Sequence, residues 1–339
     1  MVKSGGEHEA LWWSAEADGS LRCHLCPRDC HLREGQRGFC HLRRNQNGKL
    51  WLEGYGWPSA VALDPIEKKP LHHFLPGSAV LSLGNLGCNL GCAFCQNWEI
   101  ARSALPVASD YLSPAAAVEL TLAHGAPSIA YTYNEPTVWA EYAIDIAREA
   151  RQAGLRNVLV SNGYISPCAF HDLYDLMDAA NIDLKSADES FYGRLALGHL
   201  QPVLDTLERI HRETAVWLEI TNLVIPGEND SAEQLHRLCG WIASHLGCEV
   251  PLHLSAFHPA HKMLETPRTS AEKLHEACRI ARAEGLQFVY PGNLPGGSKT
   301  ICPSCGALLI RREGFTPTAI HLRDGCCPSC HAAIPGVWR

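Results

Sequence analysis

The sequence predicts an α/β protein, a barrel of the TIM type with six or seven strand–helix units, set between two small cysteine-rich modules. Three observations predict it. From Ala79 onward short apolar runs alternate with longer helical patterns, the string left by parallel strands and crossover helices. Groups able to do chemistry fall just after those runs, where such barrels keep their sites. Cysteines gather in tight pairs near both ends, a metal-ligand pattern. A doubly wound sheet would leave a similar string. The 339 residues divide into an N-terminal module over 1–76, the barrel over 77–295 and a C-terminal module over 296–339.

An apolar fraction of 46% allows a large core. The formal charge of -7 combines 29 basic with 36 acidic residues, and no basic patch dominates, which argues against a nucleic-acid partner. Sixteen cysteines suit a secreted disulfide framework only if the chain meets an oxidising compartment. The opening Met1–Ala10 offers no apolar leader core, and no run approaches a membrane span. A reducing cytoplasm and no membrane are therefore expected.

In the N-terminal module Cys23, Cys26, Cys30 and Cys40 have the spacing Cys-x2-Cys-x3-Cys-x9-Cys. Four thiolates suit zinc or a second iron–sulfur cluster, and either metal would supply folding energy where few apolar residues surround it. His24, His31 and His41 adjoin the set and could replace a cysteine, or stay in solvent. The stretch 64–77 is a polar bridge into the barrel, and its His72 and His73 are candidates to line the site.

Within the barrel the apolar runs are Ala79–Leu83, Ser128–Thr132, Asn157–Ser161, Asn181–Lys185, Val216–Val224, Pro251–Ser255 and Gln287–Tyr290. Helical patterns cover Pro114–His124, Thr137–Ala153, Pro167–Ala179, Gln201–Glu213, Ser231–Leu246 and Ser270–Glu284. Ser113 before Pro114 is a good cap and first-turn pair. Directly after the first run stand Cys88, Cys92 and Cys95, with glycines at 84, 87 and 91 that let the backbone curl and bring three thiolates to one point. No fourth cysteine follows before Cys168. Three thiolates on a [4Fe–4S] cluster leave one iron open, which marks a reactive site. A zinc knuckle or a disulfide loop is the other reading of three cysteines.

The spacing Cys88-x3-Cys92-x2-Cys95, with Phe94 before the last cysteine, resembles the signature of radical S-adenosylmethionine (radical SAM) enzymes. From Cys23 to Trp338 the chain resembles the branch named for the AmmeMemoRadiSam system, which is similar to pyruvate formate-lyase activating enzymes. The resemblance implies a partial (β/α)6 barrel. It also implies that SAM binds the open iron through its amino and carboxylate groups. One electron then splits SAM into methionine and a 5′-deoxyadenosyl radical, which takes hydrogen from a substrate. A flavodoxin or ferredoxin as electron donor and other proteins of the AmmeMemoRadiSam system are the implied partners.

Tyr133-Asn134-Glu135-Pro136 resembles the activating-enzyme motif Gly-Gly-Glu-Pro that receives the SAM ammonium. Tyr133 and Asn134 stand where that motif has two glycines. Glu135 keeps the carboxylate that an ammonium needs, and could instead cap the helix beginning near Thr137. Asn162, Asp183 and Lys185 follow the next two runs and could reach the ribose or methionine carboxylate. Ile225 lies in a segment resembling the one that packs against adenine. Glu219, Asn222, His253, His258 and Asn293 are further candidates. No catalytic residue is identified.

At the C-terminus Cys302-x2-Cys305 and Cys327-x2-Cys330 form two knuckles with zinc-ribbon spacing. Cys168, Cys239, Cys248 and Cys278 are single and expected to be buried packing. Two function classes remain. One is a radical SAM enzyme whose substrate resembles that of an activating enzyme, a residue of a protein partner. The other is a non-catalytic, metal-stabilised module that docks protein or nucleic acid. A radical methyltransferase would need machinery that the sequence does not identify.

Overall fold

The computed structural model describes residues 8–102 and 110–339; residues 1–7, most of the stretch read for a leader, lie outside the described residues, as do 103–109. Eight strands form one central sheet: Ala60–Pro65, Ala79–Gly84, Ser128–Tyr131, Arg156–Ser161, Ala179–Asp183, Trp217–Val224, Leu252–Ala256 and Val289–Gly292. The first pair is antiparallel and every later pair is parallel. Spatial order follows chain order throughout. A doubly wound sheet needs a reversal of that order, so this alternative is set aside. With right-handed crossovers, an unreversed order carries the connecting helices to one face. Helices on that face meet as sequence neighbours: Pro114–Ala123 against Ala140–Gln152, and Ala232–His245 against Ala271–Ala283. Among the described strands the two edges, Ala60–Pro65 and Val289–Gly292, do not pair with each other, and the sheet is open.

Local chemistry explains these elements. Parallel strands covered on both faces read as continuous apolar runs, and Ser128–Tyr131 is buried at every position. The Ser113 hydroxyl accepts from the Ala116 N–H, with Pro114 in the first turn, as expected. Ser231 and Gln234 form a reciprocal capping box. Three boundaries differ from the sequence reading. The pattern at Thr137–Ala153 is a 3-10 turn, Pro136–Trp139, followed by the helix Ala140–Gln152. The helix from Pro167 stops at Tyr174, because Ala179 already begins the next strand. That strand ends at Asp183, which leaves Lys185 beyond it.

The N-terminal stretch makes two antiparallel three-stranded sheets and is not the apolar-poor island the sequence suggests. Leu21, Leu25, Leu42 and Leu50 join the same buried cluster as Leu83, Ile129 and Ile165. Arg43 fixes the docking. Its guanidinium meets both carboxylate oxygens of Glu141, on the helix Ala140–Gln152, at 2.7 and 2.5 Å, and both side chains are 1% exposed. Glu141 also accepts from the Leu11 N–H at 2.7 Å, and Arg43 donates to the Leu11 carbonyl at 3.1 Å. Strand Ala60–Pro65, assigned by sequence to the module over 1–76, is instead the antiparallel edge of the central sheet.

At the other end, Lys299–Ile301, Leu308–Glu313 and Thr316–Ile320 form an antiparallel sheet. Its core residues Cys302, Leu309, Ile310, Cys327 and Ile334 pack on Phe288 and Tyr290 of the central unit.

A buried polar network seals the N-terminal ends of the later parallel strands. Glu219 accepts four hydrogen bonds: from the His72 and His73 N–H groups (3.0 and 2.8 Å), Trp217 Nε1 (3.0 Å) and His253 Nε2 (2.6 Å). His73 Nδ1 donates to the Pro335 carbonyl at 2.6 Å, which leaves Nε2 to accept from the Tyr290 hydroxyl at 2.6 Å. Arg312 donates to the His72 carbonyl and to Thr300 Oγ1, at 2.6 and 3.0 Å. His72, His73 and His253 therefore lie away from the strand ends that carry the cysteine loop, and they do not line the site.

Burial, first, pushes the His73 imidazole down to about 4, against the pull of Glu219. Burial, then Arg312, holds His72 well below its ordinary value. Unfolded histidine titrates near 6.5, so between about pH 4 and 6.5 the unfolded chain binds more protons and stability falls as pH drops. Glu219, held below its ordinary value despite burial by His253 and His73, acts in the same direction at lower pH. For His73 the loss amounts to about 3 kcal/mol across that window. Melting curves at pH 7.5 and 5.0 should show it, and His73→Gln should flatten the slope; an unchanged slope would place the effect elsewhere.

Candidate active site

Because the parallel strands keep chain order, their C-terminal ends lie along one edge, and the loops there carry the cysteines and the polar candidates. Cys88, Cys92 and Cys95, on the loop after Ala79–Gly84, are all half-buried. Their three sulfurs do not all lie within 4.8 Å of one another. Among the described residues, only Cys302, Cys305, Cys327 and Cys330 bring their ligand atoms within 4.8 Å of one another. Wider spacing suits a cluster, in which each thiolate binds a different iron, and not a single ion. The Leu90 N–H and Asn162 Nδ2 point at Cys88 Sγ, at 3.4 and 3.7 Å, the type of contact that sets cluster potential. The donor set fits an iron–sulfur cluster.

Asn162 also donates to Asn89 Oδ1 at 2.9 Å and accepts from the Tyr164 N–H at 2.8 Å, which joins the loop after Arg156–Ser161 to the cysteine loop. Asn134 holds that loop at two places, accepting from the Asn85 N–H at 3.3 Å and donating to the Gly87 carbonyl at 2.6 Å. Asn97 donates to the Tyr133 carbonyl. Tyr133 takes a φ of 71°, in the left-handed region that glycine favours, at one of the positions where the resembled motif has glycine. Its hydroxyl donates to Asp64 at 2.6 Å, and Lys69 Nζ lies 4.4 Å from its ring centre.

Glu135 is fully buried. Its carboxylate accepts from the Thr137 N–H (2.9 Å), the Ser161 hydroxyl (2.8 Å) and the Asn162 N–H (2.8 Å). It caps the turn Pro136–Trp139 and ties together two strand ends. Burial raises its pKa above the ordinary carboxylate value, against the hydrogen bonds from Asn162 and Thr137. Asp183 and Lys185 meet at 2.8 Å. Burial opposes the Lys185 charge, but Asp183 and then Cys92 hold its pKa above the usual lysine value. Phe94 is buried 5.7 Å from Phe191, ring centre to ring centre, with Lys185 Nζ 6.0 Å from its ring centre. Ile225, the first residue after the strand Trp217–Val224, has no exposed surface and belongs to the same core cluster as Leu90 and Phe94 of the cysteine loop.

Of the further candidates, His258, Asn222 and Asn293 make contacts of their own here, and Lys262, which the sequence did not single out, joins His258 at the cysteine loop. His258 reaches Gln96, beside Cys95, at 3.2 Å, and the Lys262 N–H donates to the Ala93 carbonyl at 2.9 Å. Asn293 instead donates to the Ala256 carbonyl at 3.3 Å. Asn222 donates to the carbonyls of Leu184 and Lys185 and so shapes the loop that holds Lys185.

The sequence pattern described as the Radical SAM superfamily matches residues 85–239. An uncharacterized protein of Methanocaldococcus jannaschii is 43% identical over 318 residues, 93% of this chain and 94% of its own length. The chain belongs to the radical SAM superfamily. Membership implies SAM as substrate and an iron–sulfur cluster, and members are generally enzymes. Among solved structures, a radical SAM methyltransferase from Sphaerobacter thermophilus matches 69% of this chain and 71% of its own, with a TM-score of 0.51 and 18% identity. Streptococcus suis SuiB bound to S-adenosylmethionine matches 67% and 53%, with a TM-score of 0.51 and 12% identity. At these identities the likeness to this radical SAM protein is one of fold. No helix among the described residues is long and apolar enough to cross a membrane.

The C-terminal cysteines form a second centre. Cys302 and Cys330 sulfurs lie 3.6 Å apart, as do those of Cys305 and Cys327. Tetrahedral zinc with bonds near 2.3 Å needs sulfurs about 3.8 Å apart. The two knuckles repeat one turn. The Cys302 and Cys327 N–H groups donate to the Ala307 and Ala332 carbonyls, and the cysteine carbonyls accept from Gly306 and His331. Gly306 and His331 are both left-handed, with φ of 75° and 61°. Of the single cysteines, Cys239 and Cys278 are buried as expected, but Cys168 is exposed, with its thiol 3.4 Å from the His24 carbonyl.

Proposed function

We propose that this chain is an activating-enzyme-like radical SAM enzyme, working on a residue of a protein partner within the AmmeMemoRadiSam system, with a flavodoxin- or ferredoxin-type electron donor. The observation that carries the reading is the three-thiol loop, with no fourth cysteine before Cys168, at the C-terminal ends of strands kept in chain order. Such a sheet, curled with its helices on the outside, would be a partial (β/α)6 barrel. When bound, the cluster supplies one electron to SAM, which yields methionine and a 5′-deoxyadenosyl radical able to take hydrogen from a substrate.

The remaining work belongs to the chain. Cys88, Cys92 and Cys95 hold the cluster, and Asn162 tunes it through Cys88. Asn134 and Glu135 fix the loops that meet there, and the Tyr133–Glu135 segment would receive the SAM ammonium. The Asp183–Lys185 pair offers charges to the ribose and the methionine carboxylate. Ile225 contributes through the core behind the adenine side. Zinc in the C-terminal knuckles is structural, since four thiolates close its coordination.

Anaerobic incubation of the reconstituted protein with SAM and dithionite should give 5′-deoxyadenosine and methionine, faster with the true substrate. A partner protein grown on deuterated amino acids should pass deuterium into 5′-deoxyadenosine. No SAM cleavage by a loaded, reducible cluster would reject the enzyme reading and favour the docking module. Cleavage without deuterium transfer from any partner would reject only the protein substrate.

A further inference from the structure

The cysteines at 23, 26, 30 and 40 have no part in the site just described. They nevertheless form one group. Cys23 and Cys30 stand opposite each other on paired strands. A Cβ on Gly38 would lie 3.7 Å from the sulfurs of both Cys30 and Cys40. The thiols of Cys23, Cys30 and Cys40 all bear on that of Cys26. Cys23, Cys26 and Cys40 are buried and Cys30 is half-buried.

The chain carries its own standards for what such a group holds. The C-terminal knuckles bring sulfurs to 3.6 Å, the spacing of a single tetrahedral ion. The sulfurs of Cys88, Cys92 and Cys95 do not all come within 4.8 Å of one another. The N-terminal four follow the second pattern: no three of them, with or without a neighbouring histidine, lie within 4.8 Å of one another. Two of the three neighbouring histidines are engaged elsewhere. His24 bonds Ser14 and Asp29 (2.8 and 3.1 Å), and His31 bonds Ser20 at 2.5 Å. Four separated thiolates match a cubane in which each takes its own iron, so every iron is closed. A closed cluster carries electrons and offers no corner to substrate.

Its position suits that use. A Cβ on Gly87, which has a φ of 81°, would fall 2.3 Å from the Cys40 carbonyl oxygen, so the two backbones touch one residue before Cys88. Arg28, between Cys26 and Cys30, donates to the Asn89 carbonyl at 2.8 Å, one residue after Cys88. Phe39 lies against Gly91.

We propose that Cys23, Cys26, Cys30 and Cys40 hold a second, closed iron–sulfur cluster that relays electrons to the cluster at Cys88, Cys92 and Cys95. A one-electron donor protein of low potential reduces the N-terminal cluster by one electron and is itself oxidised by one. The N-terminal cluster returns to its oxidised level as the other cluster gains that electron, and no bond is made or broken. The relay rests on the proposed function; the second cluster does not.

The test begins with Cys88→Ala/Cys92→Ala/Cys95→Ala, reconstituted anaerobically. It should keep about four iron and four sulfide per chain, beside one zinc, and show an EPR signal in dithionite that SAM leaves unchanged. Two zinc and no iron, or one zinc and no iron, would overturn the second cluster, whatever the wild type does with SAM. For the relay, Cys30→Ala should slow reduction of the remaining cluster by reduced flavodoxin at least tenfold, read from absorbance in stopped flow without SAM. An unchanged rate would overturn the relay.

Discussion

Cys92→Ala is expected to bring 5′-deoxyadenosine formation down to background, while zinc stays at one per chain. Losing one of three thiolates leaves a second iron without its protein ligand. The neighbouring loops cannot replace it, since Asn162 and the Leu90 N–H offer donors to sulfur and no new sulfur. A graded comparison separates ligand loss from general damage. Asn162→Ala removes only the amide that approaches Cys88 and bridges to Asn89. Partners of metal ligands of this type are worth about 10–100-fold in affinity or activity. The Asn162 variant should therefore keep its full iron and remain measurably active, and the Cys92 variant should lose the iron held by the Cys88–Cys95 loop together with its activity. Mass spectrometry of SAM products and iron analysis on the same samples check both. Wild-type cleavage by Cys92→Ala would remove the basis of the proposed function.

Glu141→Ala should be the most destabilising substitution outside the metal centres. Arg43 and Glu141 form a two-pronged pair at 1% exposure, and among the described residues no other carboxylate pairs with the Arg43 guanidinium. Removing one partner from a buried pair costs about 3–5 kcal/mol, because the other charge stays buried without compensation. The Leu11 N–H loses its acceptor as well. Replacing both together, as Arg43→Met/Glu141→Leu, should recover most of that loss, as apolar substitutes for buried pairs often do. Thermal melts of the three proteins decide the matter; equal losses in single and double variants would show that packing, and not charge, holds the N-terminal sheets to the helix.

The contrast between these two predictions shows what was legible. Cys88, Cys92 and Cys95 lie within eight residues, so a sequence displays them together. The same holds for the C-terminal knuckles and for the helix Gln201–Glu213, whose apolar stripe sets its limits. Arg43 and Glu141 are 98 residues apart, and either alone reads as a surface charge. Asn162, placed by resemblance near SAM, proves to be a bridge between loops, a role visible only once Asn89 is beside it. Strand Ala60–Pro65 was hidden for another reason. It turns Val61 and Leu63 to solvent, 45% and 47% exposed, and buries Asp64, which Lys69 and Tyr133 satisfy at 2.8 and 2.6 Å. That inverts the alternation by which a strand is recognised. The helix from Pro167 was overrun because no glycine or proline marks its end before Ala179.

The seal at the foot of the sheet has a consequence for how the protein is made. His73 accepts from the Val337 N–H, Leu75 donates to the Val337 carbonyl, and His73 Nδ1 bonds the Pro335 carbonyl, 262 residues later in the chain. A ribosome adding about 5–20 residues per second needs roughly 13–50 s to cover that interval. Until then the residues around His73 have no partner strand, and the imidazole has no carbonyl to meet. Early folding can assemble the first parallel strands, but closure of the floor must wait for residues 335–337 to emerge. The nascent chain thus holds its half-built core open toward chaperones, and toward whatever delivers iron and sulfide, until residues 335–337 are free to pair with His73 and Leu75.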